Sequence, residues 1–141
     1  MKTEFQSFLD RNQIEFFTAR EVLFLGASNA WLKLNTVPDP SLWPNILPAL
    51  SAADELRRRL GKPIQILSGY RNPAYNRAIG GARNSQHTQF RALDLTARVP
   101  IPELAKLAKQ IRTEKIFTGG LGIYPGFIHL DSRPTNADWR G

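Results

Sequence analysis

The chain holds two histidines, and each stands near an aspartate: His87 and Asp94 within "SQHTQFRALD" (residues 85 to 94), His129 and Asp131 within "FIHLD" (residues 127 to 131). Imidazole and carboxylate both hold divalent metals, and with no cysteine in the chain any metal must be held by nitrogen and oxygen donors. If "FRALDLT" is extended, alternation puts Phe90, Ala92 and Asp94 on one face and Arg91, Leu93 and Leu95 on the other. A carboxylate among apolar neighbours needs a partner. The preceding loop, rich in Gly and Asn, can fold back and bring His87 to it. In "FIHLD" the same alternation points His129 and Asp131 to one face and Ile128 and Leu130 to the opposite, core-facing one. Two readings are open: two separate hydrogen-bonded His–Asp pairs, or one metal site assembled from two strands. The chain has no other histidine, and each of the two reaches an acid on its own face, which favours the second.

Zinc suits such a set, because two imidazoles and one carboxylate leave a fourth position open, as in catalytic rather than structural sites. Zinc at an open site activates water near neutral pH and polarises a carbonyl, and amide hydrolysis is the chemistry that follows.

These residues need elements to position them. "EFQSFLD" sets Phe5, Phe8 and Leu9 at helical spacing, and "TAREVLFLG" opens with a Thr18 to Glu21 capping box and runs to Gly26. A loop with Asn29, Asn35, Pro38 and Pro40 leads to the main helix, where Leu42, Ile46, Leu50, Leu56 and Leu60 form a stripe ended by Gly61 and Pro44 and Pro48 disturb the start. "PIQILSGY" alternates as a strand. "NPAYNRAIGG" reads as a short helix capped by Asn72 with Pro73 in its first turn. "FRALDLTA" is a second strand and "IPELAKLAKQIRTE" an amphipathic helix, while "IFTGGLGIYP" and "GFIHLDSR" pair as strands joined at Pro125 and Gly126. Helices followed by strands with interspersed helices predict an α+β domain built on an antiparallel sheet flanked by helices. One domain is expected over 1–141, with a helical part over about 1–61 and a sheet-bearing part over about 62–141 that carries the metal site.

The segments "SGYRNPAYNRAIGGARNSQHTQFRALDL" and "GGLGIYPGFIHLDSR", with the late "DWRG", resemble the zinc D-alanyl-D-alanine carboxypeptidase and murein endopeptidase family, whose fold is shared with the hedgehog signalling domain. The resemblance implies zinc ligands at His87, Asp94 and His129, through the family's Ser-x-His-x-x-Gly-x-Ala-x-Asp motif and a later His. It also implies that Arg71 of "SGYR" holds an anionic group of the substrate, and that the substrate is a peptidoglycan peptide. Two positions depart from the family. Phe90 stands where the motif has Gly, so a bulky ring is expected near the metal. Gly126 stands where several branches, among them phage L-alanyl-D-glutamate peptidases, carry an acid three residues before the last His. Asp131 is the nearest replacement, either as base for the attacking water or as the acceptor that orients an imidazole.

Other residues have two roles open to them. Ser85 and Gln86 can donate to substrate oxygens or only cap their turn. Tyr124 and Trp139 can wall a groove, whereas Tyr70 reads as packing. "RRRL" (57–60) suits a helix C-terminus on a solvated face, and no nucleic-acid signature accompanies it. The formal net charge of +7 favours an anionic partner, which murein peptides and nucleic acid satisfy equally, so charge does not choose between them. No stretch is long and apolar enough for a membrane span, and the start lacks the pattern of an export signal, so the compartment stays open among periplasmic or extracellular action, a phage lysis or tail protein and a cytoplasmic recycling enzyme. The chain is expected to act as a monomer. The competing function is a non-catalytic, zinc-containing module of the same fold that binds cell wall or protein.

Overall fold

Phe5 and Leu9 lie one helical turn apart, and their burial fixes the inner face of α1 (Lys2–Arg11). The structure, a computed structural model, describes residues 2–141. The Thr18 capping box is formed: its hydroxyl accepts from the Glu21 amide, and the Glu21 carboxylate accepts from the Thr18 amide at 3.0 Å. The helix that it starts, α2 (Ala19–Val22), is a single turn and ends well short of Gly26. Asn35 draws the chain beyond α2 into a loop, donating to the carbonyls of Leu25 and Tyr70 at 3.0 Å each. One short helix, α3 (Asn29–Leu32), interrupts that loop.

The two prolines of the main helix act as expected. Residues Pro40–Ile46 wind as a 3₁₀ turn containing Pro44, and α4 (Leu47–Leu60) starts with Pro48 in its first turn, where a missing N–H costs nothing. Gly61, at φ +69°, closes α4. The buried Asp54 of α4 accepts the amides of Glu15 and Phe16 at 2.9 and 2.8 Å, tying the N-terminal segment to the helix. The arginines of "RRRL" are engaged on the surface. Arg57 lies over the Phe16 ring, Arg58 pairs with Glu15 and Glu55, and Arg59 pairs with Glu55 and Glu114.

Five strands follow: β1 (Ile64–Ser68), β2 (Ala92–Ala97), β3 (Gly120–Ile123), β4 (Ile128–Asp131) and β5 (Ala137–Arg140), in the sheet order β1-β2-β4-β3-β5. α5 (Pro73–Ala78) and a 3₁₀ turn (Gln86–Gln89) lie between β1 and β2; α6 (Ile101–Thr113) lies between β2 and β3. The fold is α+β, with every strand pair antiparallel except β3 with β5. β4 is flanked on both sides, so the chain turns after it and pairs with the free edge of β3, in the direction that makes the pair parallel. The buried Arg112 of α6 secures this edge, donating from Nη1 to the carbonyls of Gly119 and Ala137 and from Nη2 to the two Asp138 oxygens at 2.7 and 2.9 Å. One buried apolar cluster runs from Phe5 and Leu9 through Leu50 and Leu56 to Leu93, Ile111 and Leu130, so helices and sheet share a core.

Candidate metal centre

The register of the sheet assembles the site. Ser68 pairs with Asp94, Asp94 with His129, His129 with Gly122 and Gly122 with Trp139, so five strands contribute to one cross-strand row. Residues opposite each other in a ladder point to the same face. His87 joins from outside the sheet. Ser85 starts the 3₁₀ turn, its hydroxyl accepting from the His87 amide at 3.2 Å, and Phe90 ends that turn at φ +57°.

The three expected ligands meet. His87 Nε2 and His129 Nδ1 lie 3.2 and 3.1 Å from the same Asp94 oxygen, Oδ1, and the three ligand atoms all fall within 4.8 Å of one another. All three residues are buried. Each ring is oriented from its far side: His87 Nδ1 is 2.7 Å from the Gly69 carbonyl, and His129 Nε2 is 2.8 Å from Asp131 Oδ2. A carbonyl only accepts, so His87 carries its proton on Nδ1 and, when neutral, turns a nitrogen lone pair toward a carboxylate oxygen. Two acceptors face to face call for a cation between them, a proton or a metal ion. The donor set, its spacing and the orienting partners fit zinc.

The charges follow from these contacts. Burial pushes His87 below the ordinary imidazole value, and its contact with Asp94 does not offset that. Burial also opposes charge on His129, but Asp131 and Asp94 outweigh it and raise its pKa. Burial alone would raise Asp94; the contact with the His129 imidazole, itself held protonated, prevails and keeps Asp94 well below the usual carboxylate range. Asp131 behaves likewise, held down by His129, Arg133 and the Gly120 amide against the effect of burial.

A cleft of about 590 Å³ opens over this cluster, lined by Arg71, Ser85, His87, Asp94, His129 and Trp139 among others. Arg71 is committed by three contacts: Nε to Ser68 Oγ at 3.0 Å, Nη1 to Asn76 at 3.4 Å and Nη2 to Asp94 Oδ2 at 3.1 Å. Asp131 lies beneath the cleft, fully buried. Trp139 contacts the His129 ring at 5.2 Å between centroids and donates from Nε1 to the Tyr124 hydroxyl at 2.9 Å. Tyr124 stacks on Phe127, and both also line the cleft. Tyr70 packs edge-on against the core residue Phe90.

The ring of Phe90 does not enter the site. Its backbone is left-handed, the conformation glycine adopts most easily, and the side chain turns into the core against Phe5 and Tyr70, both 6.1 Å away between centroids. Gly126 sits in the exposed β3–β4 turn, its carbonyl bonded to Thr96, and is absent from the lining of the cleft.

Arg133 is the site residue that sequence reasoning missed. It forks onto Asp131 through Nε and Nη2 and lies over Trp139, 4.9 Å from the ring centroid. A signal existed, since Asp131 and Arg133 are two residues apart beside a strand and so share a face.

A helix-and-sheet domain with two imidazoles and a carboxylate gathered under a cleft has the form of a metal-dependent hydrolase. The profile of one family, described as peptidase M15, matches residues 27–131, more than half of the chain, and the chain belongs to that family, which comprises zinc metallopeptidases. No curated protein matches the chain.

Proposed function

We propose that this protein is a zinc-dependent peptidase that hydrolyses amide bonds in peptidoglycan stem peptides or their cross-links. The convergence of His87, Asp94 and His129 on one point beneath an open cleft carries this reading. His87 through Nε2, His129 through Nδ1 and one oxygen of Asp94 would hold the ion. Bound zinc supplies Lewis acidity, which polarises a carbonyl and acidifies water. Gly69 and Asp131 keep the two rings turned inward, and Arg71 keeps Asp94 from rotating. Arg71 retains N–H groups beyond its three contacts, and with these it can receive an anionic group of the peptide. Ser85 caps the His87 turn and faces the cleft, and Trp139 walls it.

Of the two roles open to Asp131, its surroundings support orientation of His129. Both carboxylate oxygens are already occupied by donors from Gly120, Arg133 and His129, and the side chain has no access to solvent.

One observation favours the second reading, a zinc-containing binding module: among the described residues lining the cleft, Asp94 is the sole carboxylate. Digestion of purified murein separates the two. A peptidase in its zinc-loaded form releases fragments whose new termini, read by mass analysis, identify the bond, and the His87→Ala variant releases none. If loaded wild type takes up one zinc yet leaves murein and stem peptides intact, the binding module is the correct reading.

A further inference from the structure

Two arginines stand at opposite ends of one chain of contacts. Arg71 holds Asp94, Asp94 faces His129, His129 is bonded to Asp131, and Asp131 is gripped by Arg133. The sheet gives the same order, for Ser68, which receives Arg71 Nε, and Trp139, which underlies Arg133, sit at the two ends of the row that holds Asp94 and His129.

Arg133 is built to stay in place. Nε and one Nη2 proton are fixed on Asp131, and the indole of Trp139 supports the guanidinium plane. Among the described residues neither Nη1 proton has a hydrogen-bond partner, and the side chain is about one third exposed and lines the cleft. Two glycines make the assembly possible. A Cβ on Gly120 would stand 2.6 Å from Asp131 Oδ2 and 2.9 Å from Arg133 Nε, and one on Gly122 would stand 2.5 Å from Trp139 Nε1. The indole can come this close to β3 only because residue 122 has no side chain. Charge points the same way. The cleft lining contains two arginines and one carboxylate, and that carboxylate is already matched by Arg71 and the histidines.

We propose that Arg133, propped on Trp139, is a substrate-binding residue of this cleft that receives a peptide carboxylate on the side of the centre opposite Arg71. The preferred substrate is then a peptide with a free carboxylate on each side of the scissile amide. The proposal rests on the peptidase reading for its ligand class, but its test reads affinity and cleavage as separate quantities. A rigid guanidinium fork offers a carboxylate two parallel bonds with little ordering left to do, so the preference resides in that one pairing.

The probes are L-alanyl-γ-D-glutamyl-L-lysyl-D-alanine and its forms amidated at the glutamate carboxylate, the terminal carboxylate or both. Each is titrated calorimetrically into zinc-loaded protein, and cleavage is followed separately by mass spectrometry. For wild type, amidating each carboxylate weakens binding about tenfold. In Arg133→Gln the penalty for one of the two carboxylates vanishes while the other persists, and Arg133→Lys restores part of it. Zinc content is measured on each variant, because Arg133 also grips Asp131. Trp139→Leu leaves that grip intact and lowers the same single penalty. Equal affinity of wild type for all four peptides overturns the proposal, as does an Arg133→Gln variant that weakens all four alike. Discrimination without cleavage overturns the peptidase reading and leaves the anion site standing; cleavage of all four peptides without discrimination does the reverse.

Discussion

His129 Nε2 and Asp131 Oδ2 lie 2.8 Å apart, on the ring edge opposite the one that faces Asp94. A buried carboxylate in this position fixes which nitrogen carries the proton and how the ring is turned, and it makes the imidazole a stronger ligand.

Asp131→Asn is therefore expected to lower zinc affinity about tenfold to a hundredfold. Competition with a chelator of known affinity measures this, and excess zinc should recover activity. Unchanged affinity with lost turnover would instead assign Asp131 the role of base.

Zinc uptake should weaken with acidity from an unusually high pH. In the metal-free protein His129 holds its proton above the ordinary value of 6.5, despite burial, because of Asp131 and Asp94. A metal must displace that proton, so affinity falls as pH drops through the raised pKa. The metal-free fold responds in the opposite sense: the stabilisation from His129 is fully present below 6.5 and is lost as pH rises through the raised value. His87, whose pKa is lowered by burial, stays neutral through this range and adds no competing proton. A plot of zinc affinity against pH that breaks at or below 6.5 would contradict this account.

Gly122→Ala should displace the indole of Trp139, since the new methyl would stand 2.5 Å from its Nε1. The expected outcome is retained zinc stoichiometry with altered Trp139 side-chain signals in NMR and weaker peptide binding. Wild-type binding and an unmoved indole would show that β3 can yield by itself.

Phe90→Ala removes a fully buried ring that packs on Phe5 and Tyr70 and is expected to cost about 3 to 5 kcal/mol in denaturant unfolding. Phe90→Gly suits the φ of +57° better and should still be destabilising, because the lost ring outweighs the relieved backbone. A loss below about 1 kcal/mol for both would mean that the core refills the space.

Local pattern carried much of this protein. Helix and strand positions from α4 to β4, the capping box at Thr18, the proline-disturbed entry to α4 and the alternation that turns His129 and Asp131 to one face all follow from neighbours in sequence, because they depend on periods of 3.6 and 2 and on single caps. The residues proposed as metal ligands were also visible as candidates, since the chain has two histidines and each has an acid near it. Partnership across the sheet was not. That Asp94 shares one oxygen between two imidazoles depends on a register joining residues 35 apart in sequence. Phe90 entered the core because a left-handed turn reversed the face expected from simple alternation. β5 became a parallel edge strand because β4 already had neighbours on both sides. Arg133 reached the cleft wall because glycines on a neighbouring strand let an indole lie beneath it. Such pairings depend on which surfaces bury each other, a property of the packed chain that no single segment contains.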